Sequence, residues 1–168
     1  RPSYPLGSSQ QEHDRLVRQG NILRRWTERF FREAGLEPGM KVLDLGCGSG
    51  AVAVAAALRA ESIQVTAVDS NPRAIEATSW AAAKNGVANL QATLDCDGSS
   101  LNDDAYDLVL ANAPYFSNFR IAEHFARTAA KSLISGGLAL FVTKTPGWYV
   151  ERLPKWFSQV EPRPGKNY

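Results

Sequence analysis

Two stretches of this 168-residue chain combine residue types and spacing that could do chemistry. The first is Asp44-Leu45-Gly46-Cys47-Gly48-Ser49-Gly50, with Asp69 following 23 residues after Gly46. Gly46 permits a tight turn, Gly48 lets a ligand approach the backbone, and a helix opening after the loop offers free N–H donors. Such a loop suits a nucleotide, and Gly46, Gly48 and Ala51 also satisfy the dinucleotide spacing G-x-G-x-x-(G/A). A third glycine, Gly50, and an acid two residues before the loop shift the choice. The Asp44 carboxylate suits a positively charged ligand better than a pyrophosphate. Asp69 stands where a carboxylate accepts hydrogen bonds from ribose hydroxyls, and it fits either ligand.

The second stretch is Asn112-Ala113-Pro114-Tyr115. Pro114 fixes its own φ and restricts Ala113, and Tyr115 supplies a flat face for a planar group. The Asn112 side-chain oxygen and the Ala113 carbonyl are two acceptors able to hold both hydrogens of an –NH2 group. An amine on an aromatic ring is a poor nucleophile because its lone pair is delocalised. Accepting both N–H bonds favours pyramidal nitrogen and aims the lone pair. Positioning then supplies much of the catalysis, and no strong general base is needed.

The elements that must carry these residues alternate. Residues 41–45 read as a strand, 51–60 as an Ala-rich helix and 63–68 as a strand. Pro72 opens a helix that Asn85-Gly86 closes. Strands follow at 90–94 and 106–111, then a helix at 121–133, the Gly136-Gly137 pair, a strand at 138–143 and a short helix at 149–157 with Pro154 in its path. Strand–helix alternation predicts an α/β fold with a mostly parallel, doubly wound sheet and helices on both faces. Upstream, residues 1–11 read as an extended arm and 12–35 as a helix with one apolar stripe. One domain over 1–168 is expected, with the α/β core at 41–168.

Composition narrows the classes. The chain is 44% hydrophobic and 21% charged, enough to bury a core. The longest apolar run, residues 51–58, is far shorter than the ~18–20 residues of a membrane-crossing helix. No leader pattern opens the numbered chain, and the cytoplasm is the expected setting. Cys47 and Cys96 with His13 and His124 are too few for a disulfide framework or a thiolate metal site, and no metal is expected. Residues 1–41 carry eight Lys/Arg and five Asp/Glu, residues 42–143 six and ten, and residues 144–168 five and two. An acidic middle between basic ends is not the footprint of a strong autonomous nucleic-acid binder, though the flanks can touch phosphates.

The segments VLDLGCGSGAVAVAAA and VTAVDSNPRAIEAT resemble motifs I and II of class I S-adenosylmethionine-dependent methyltransferases, which share a Rossmann-like fold. The resemblance runs over residues 41–143. It implies S-adenosylmethionine as cofactor. Asp44, Gly46, Cys47, Gly48 and Gly50 would meet its amino-acid part, Asp69 the ribose, and Ser70 and Asn71 the adenine. An acid after the third strand usually meets the adenine amino group; LDCDG offers Asp95 and Asp97, and similar proteins favour Asp97. The tetrapeptide at 112–115 resembles the (Asp/Asn)-Pro-Pro-(Tyr/Phe) motif of amino-methyltransferases, with Ala113 in place of the first proline. It implies that Asn112, Ala113, Pro114 and Tyr115 are catalytic. With YFSNFRIAEHFARTAAKSLISGGLALFVTK downstream, residues 40–157 resemble the small-domain methyltransferases, whose members commonly methylate guanine N2 in ribosomal RNA. Phe116 and Phe119 would then face a flipped base, and Arg120 a phosphate. The alternatives are core packing for the rings and a helix start for Arg120.

The N-terminal run to residue 50 is closer in style to enzymes acting on small molecules, so a small-molecule acceptor is the alternative. A non-catalytic cofactor-binding domain and a nicotinamide-dependent oxidoreductase are the other readings. Complete members of the class carry two further strands as a C-terminal hairpin. Residues 158–163 make a poor central strand because of Pro162. A chain continuing past Tyr168, or a homodimer formed through the exposed sheet edge, is therefore expected.

Overall fold

The computed structural model describes residues 30–114 and 118–163. The chain divides into two compact units, residues 1–35 and 36–168. In the first, residues 30–33 are helical, and the rings of Phe30 and Phe31 lie 5.9 Å apart. The arm at 1–11 and the expected start of the first helix lie outside the described residues.

The second unit holds a five-stranded sheet in the order β3-β2-β1-β4-β5. The strands are β1 (Lys41–Leu45), β2 (Gln64–Asp69), β3 (Leu90–Leu94), β4 (Tyr106–Ala111) and β5 (Leu133–Phe141), and every neighbouring pair is parallel. The helices are α1 (Ala51–Ala57), α2 (Pro72–Lys84), α3 (Arg120–Ser132) and α4 (Pro146–Arg152). Parallel strands need crossovers, and their fixed hand puts α1 and α2 on one face and α3 on the other. Central strands covered on both faces must be apolar almost throughout. Accordingly Val42, Leu43, Leu108, Val109 and Leu110 are buried. The α/β fold with a parallel sheet expected from the alternation, Rossmann-like as the resemblance implies, is the fold observed.

Several element ends differ from expectation, each for a physical reason. Helix α1 stops at Ala57, three residues early. The Asn89 amide nitrogen donates to the carbonyls of Ala57 (3.0 Å), Ala60 (3.1 Å) and Ile63 (2.7 Å), replacing the donors a longer helix would provide. Helix α3 passes directly into β5, so the Gly136-Gly137 pair lies inside a strand and not in a separating loop. There the register jumps: Tyr106 faces Leu133, but Leu108 faces Leu138. The extra residues form a bulge. It is tightly packed, since a Cβ on Gly137 would lie 3.1 Å from the Asp107 carbonyl oxygen. The last helix starts at Pro146 and gives way to a 3₁₀ turn, Leu153–Lys155. Pro154 lacks the N–H that an α-helix would use. Residues 158–163 join no strand, and β5 is one of the two sheet edges, with β3 the other, among the described residues.

Asn89→Ala should lower stability by ~1–3 kcal/mol, because three carbonyls lose their side-chain donor. Urea unfolding, read as a fall in the midpoint at unchanged slope, measures it.

Candidate functional site

Strand order reverses at β1, whose neighbours β2 and β4 lead away to opposite sides. Such a point leaves a crevice beyond the carboxyl ends of the strands. The registers pair Leu45 with Val68 on one side and with Ala111 on the other. Gly46, Asp69 and Asn112 are the next residues along, so the glycine loop, the second acid and the asparagine tetrapeptide open at one end of the sheet.

The loop is held by its neighbours. The Gly46 and Cys47 N–H groups both donate to the Val68 carbonyl, at 2.8 and 3.1 Å. The Gly48 N–H donates to Asp69 Oδ2 at 3.0 Å. Gly50 caps α1 with φ at 75°, and a Cβ there would lie 2.9 Å from Thr78 Cα, so conformation and space both exclude a side chain. Gly46 is likewise filled from below: a Cβ would come within 2.8 Å of Phe125 Cζ. Gly48 differs, since a Cβ there would meet nothing within 4 Å. That face of the loop is open. Thr78, fully buried in α2, donates to the Gly48 carbonyl at 3.3 Å and lies 3.4 Å from Cys47 Sγ. Burial pushes the Cys47 thiol up to about 11, against the Thr78 hydrogen bond, so it stays neutral.

Asp44 is the anomaly of the site. It is 6% exposed, and its Oδ2 is buried without a hydrogen-bond partner among the described residues. Burial raises its carboxyl to about 7; a hydrogen bond from the Ala53 N–H in the first turn of α1 works against this, and the Asp69 charge adds to it. A buried polar atom of this kind is unfavourable unless something arrives to satisfy it. A cation would do so, and a pyrophosphate would not. The residues present therefore fit a ligand with a positive charge near Asp44 and bulk against the open side of Gly48.

Asp69 accepts from the Gly48 N–H with one oxygen and from the Asn71 N–H with the other, at 2.9 Å, leaving lone pairs for further donors. Ser70 is exposed. Asn71 caps α2, its side chain accepting from the Arg73 N–H at 3.0 Å, so its Oδ1 is already engaged. The two acids after β3 separate clearly. Asp95 accepts from the N–H groups of Asp97, Gly98 and Ser100 and from the Ser100 hydroxyl. Its slight burial opposes ionisation, but these bonds outweigh it and lower the carboxyl to about 2. Asp97 is exposed and accepts only from the Ser99 N–H, at 3.0 Å, among the described residues.

On the other side of the crevice, Asn112 is exposed, and its side chain has no hydrogen-bond partner among the described residues. Ala113 is 3% exposed and clusters with Ala122, Ala126, Tyr149 and Leu153. Pro114 is half-buried, while Tyr115 and Phe116 lie outside the described residues. Phe119 stacks on Trp148, so that face of its ring is closed to a base. Arg120 is the first residue of α3 and exposed. His124 is half-buried, its ring tilted against Phe125. Thr78, Phe125 and Trp148 had no signature in the sequence, because each acts through contact with a residue far along the chain.

A family profile, Methyltransferase small domain, matches residues 28–167. Ribosomal RNA small subunit methyltransferase C of Shewanella piezotolerans is 27% identical over 176 residues, covering 95% of this chain and 51% of that protein. Release factor glutamine methyltransferase of Salmonella typhimurium is 35% identical over 75 residues, 45% of this chain and 27% of that protein. The chain thus spans about a quarter to a half of the length of these curated relatives. Among solved structures, TrmN from Thermus thermophilus superposes with a TM-score of 0.70 and 27% identity, over 76% of this chain and 40% of that one. Geometry, profile and relatives agree: the chain belongs to the methyltransferase small domain family of class I S-adenosylmethionine-dependent methyltransferases.

Proposed function

We propose that this chain methylates an exocyclic amine of RNA, with guanine N2 of ribosomal RNA as the acceptor. The observation that carries the reading is the exposed Asn112 amide, without a side-chain partner among the described residues, one residue beyond β4, beside the strand that holds the buried Asp44 carboxyl. The ribosomal RNA methyltransferase of Shewanella piezotolerans aligns over 95% of the chain, whereas the glutamine enzyme aligns over 45%. A glutamine amide presents the same two hydrogens; the breadth of the alignment with the ribosomal RNA enzyme is what supports the RNA reading.

S-adenosylmethionine supplies a methyl group on a positively charged sulfur. Asp44 would hold the cofactor's ammonium, with the backbone of Gly46, Cys47, Gly48 and Gly50 around its amino-acid part. Asp69 would take the ribose hydroxyls. Ser70 and Asn71 would flank the adenine, the latter by its backbone because its side chain caps α2. Asp97, and not the fully engaged Asp95, would accept from the adenine amino group. On the acceptor side, Asn112 Oδ1 and the Ala113 carbonyl would take both amine hydrogens and turn the lone pair toward the donor. Pro114 stiffens the turn, and Tyr115 would cover the flat face of the base.

Three outcomes test this reading. Asn112→Ala should reduce methyl transfer to unmodified small-subunit ribosomal RNA transcripts by roughly 10²–10⁴-fold while leaving cofactor affinity within about two-fold. Transfer at the wild-type rate would remove Asn112 from catalysis, and a wild-type chain that labels none of these transcripts would remove RNA as acceptor. Asp97→Ala should weaken S-adenosylmethionine binding in calorimetric titration without altering the melting temperature, whereas Asp95→Ala should lower the melting temperature by freeing four donors. The third outcome concerns pH. The folded Asp44 carboxyl lies near 7, above its ordinary 3.8. The proton it holds therefore stabilises the cofactor-free fold fully below pH ~4, and this contribution is lost as pH rises through 7. Cofactor binding needs the carboxylate, so it should weaken about ten-fold per pH unit below 7. Asp44→Asn should abolish that dependence, lose affinity, and stabilise the cofactor-free chain at pH 8 by ~1–3 kcal/mol.

A further inference from the structure

We propose that Thr78, in the second turn of α2, is a positioning residue for S-adenosylmethionine, its hydroxyl holding Gly48 so that the glycine loop is ordered before the cofactor arrives; the inference rests on the roles given above to that loop and to Asp69. Thr78 is fully buried, so it acts on the cofactor only through other residues. Its hydroxyl donates to the Gly48 carbonyl at 3.3 Å, across 30 positions of the chain. With that proton committed, the oxygen accepts from the Cys47 thiol, whose Sγ lies 3.4 Å away. Packing alone does not ask for a hydroxyl here. The other buried residue of α2 is Ala82, one turn on, and alanine is the better helix former. A buried hydroxyl is unfavourable without a partner, and this one finds its partners in the loop.

The two branches of the side chain do different things. A Cβ on Gly50 would lie 2.7 Å from both Thr78 Cγ2 and Thr78 Oγ1. The methyl therefore helps fill the space that Gly50 leaves, while the hydroxyl carries Gly48. Gly48 is held at both ends, its carbonyl by Thr78 and its N–H by Asp69 Oδ2 at 3.0 Å. The other Asp69 oxygen accepts from the N–H of Asn71, the cap residue of α2. One helix thus sets the spacing of two groups, Asp69 from its cap and Gly48 from its second turn. A shift of Gly48 would carry the Asp69 hydrogen bond with it. No side chain of its own anchors Gly48, and a glycine has the most freedom to lose on ordering. A loop that Thr78 has already ordered loses less entropy when a ligand binds, which raises affinity.

The experiment compares Thr78→Val, Thr78→Ser and Thr78→Ala with the wild-type chain. Calorimetric titration reads S-adenosylmethionine affinity. Amide hydrogen exchange in the cofactor-free chain is followed at residues 46–50 and, as a control, at 95–100. Thr78→Val and Thr78→Ala, which lack the hydroxyl, should weaken affinity about three- to ten-fold and speed exchange at 46–50 but not at 95–100. Thr78→Ser, which keeps the hydroxyl, should stay within about two-fold of the wild type in both readouts. A packing role would sort the variants by volume instead, with Thr78→Ser and Thr78→Ala alike, and that result overturns the proposal. Serine and alanine differ only by the hydroxyl, so this pair decides even where Thr78→Val fails to fold. Unchanged exchange at 46–50 in Thr78→Ala overturns the proposal whatever the cofactor does. Gly48→Ala, which puts a methyl into the open face of the loop, separates the two readings. If it binds S-adenosylmethionine as the wild type does, the reading of the loop falls and the proposal with it; if it weakens binding while Thr78→Ala does not, only the role of Thr78 falls.

Discussion

A carboxylate oxygen buried without a partner opposes folding, and among the described residues nothing pairs with Asp44 Oδ2 at the middle of the sheet. The rest of the site is arranged around that liability. One oxygen is met by the first turn of α1, whose start is fixed by Gly50 in a conformation that side chains avoid. Gly50 in turn is pressed onto Thr78 of α2, which also carries the Gly48 carbonyl. The loop thus has its backbone committed on the protein side and its open face turned outward at Gly48. A chain selected for stability alone would place an apolar residue on β1 beside Leu43 and Leu45. On the reading proposed above, the acid retained there is completed when a cation arrives beside it.

How much of this was legible in the sequence depended on whether the deciding contact was local. Strands β1 and β4 fall where their apolar runs put them, because burial on both faces leaves a nearly uninterrupted pattern; β3 keeps its expected bounds although none of its residues is fully buried. The start of α2 was legible too, since Pro72 and the Asn71 cap are adjacent in the chain. The end of α1 was not, because Asn89 sets it from beyond β2 and α2. The Gly136-Gly137 pair reads as a break in any local scheme. In the fold its small residues let a bulge lie against the β4 backbone. Glycine pairs report that close approach or an unusual φ is needed, and the sheet decides which.

The site shows the same division. The order Asp44, glycines, Asp69 could be read directly, because the strand-to-helix turn places all of it. Asp95 and Asp97 are chemically equal in a string of letters. Only the loop's hydrogen bonds tell them apart, filling both oxygens of Asp95 and one oxygen of Asp97. Phe119 was equally ambiguous between a base-stacking and a packing residue. Its partner Trp148 lies beyond α3 and β5, and no spacing rule connects them.

Donor and acceptor sides are built from different parts of the chain. On the proposed reading, helices α1 and α2 and their loops would shape the cofactor face, while α3 and α4 carry the cluster that buries Ala113. Methyl transfer needs the two faces in register, so something must tie them beyond the shared ends of β1 and β4. Phe125 meets that need. Its ring fills the space beneath Gly46 and packs against both the central core and the Ala113 cluster. The absent side chain at Gly46 is what admits the ring. The first glycine of the loop is then required twice over, once for its turn and once for the helix packed below it. A movement of α3 that displaced the acceptor stretch would also displace the floor of the donor loop, and that mechanical link suits a reaction whose geometry must be in line.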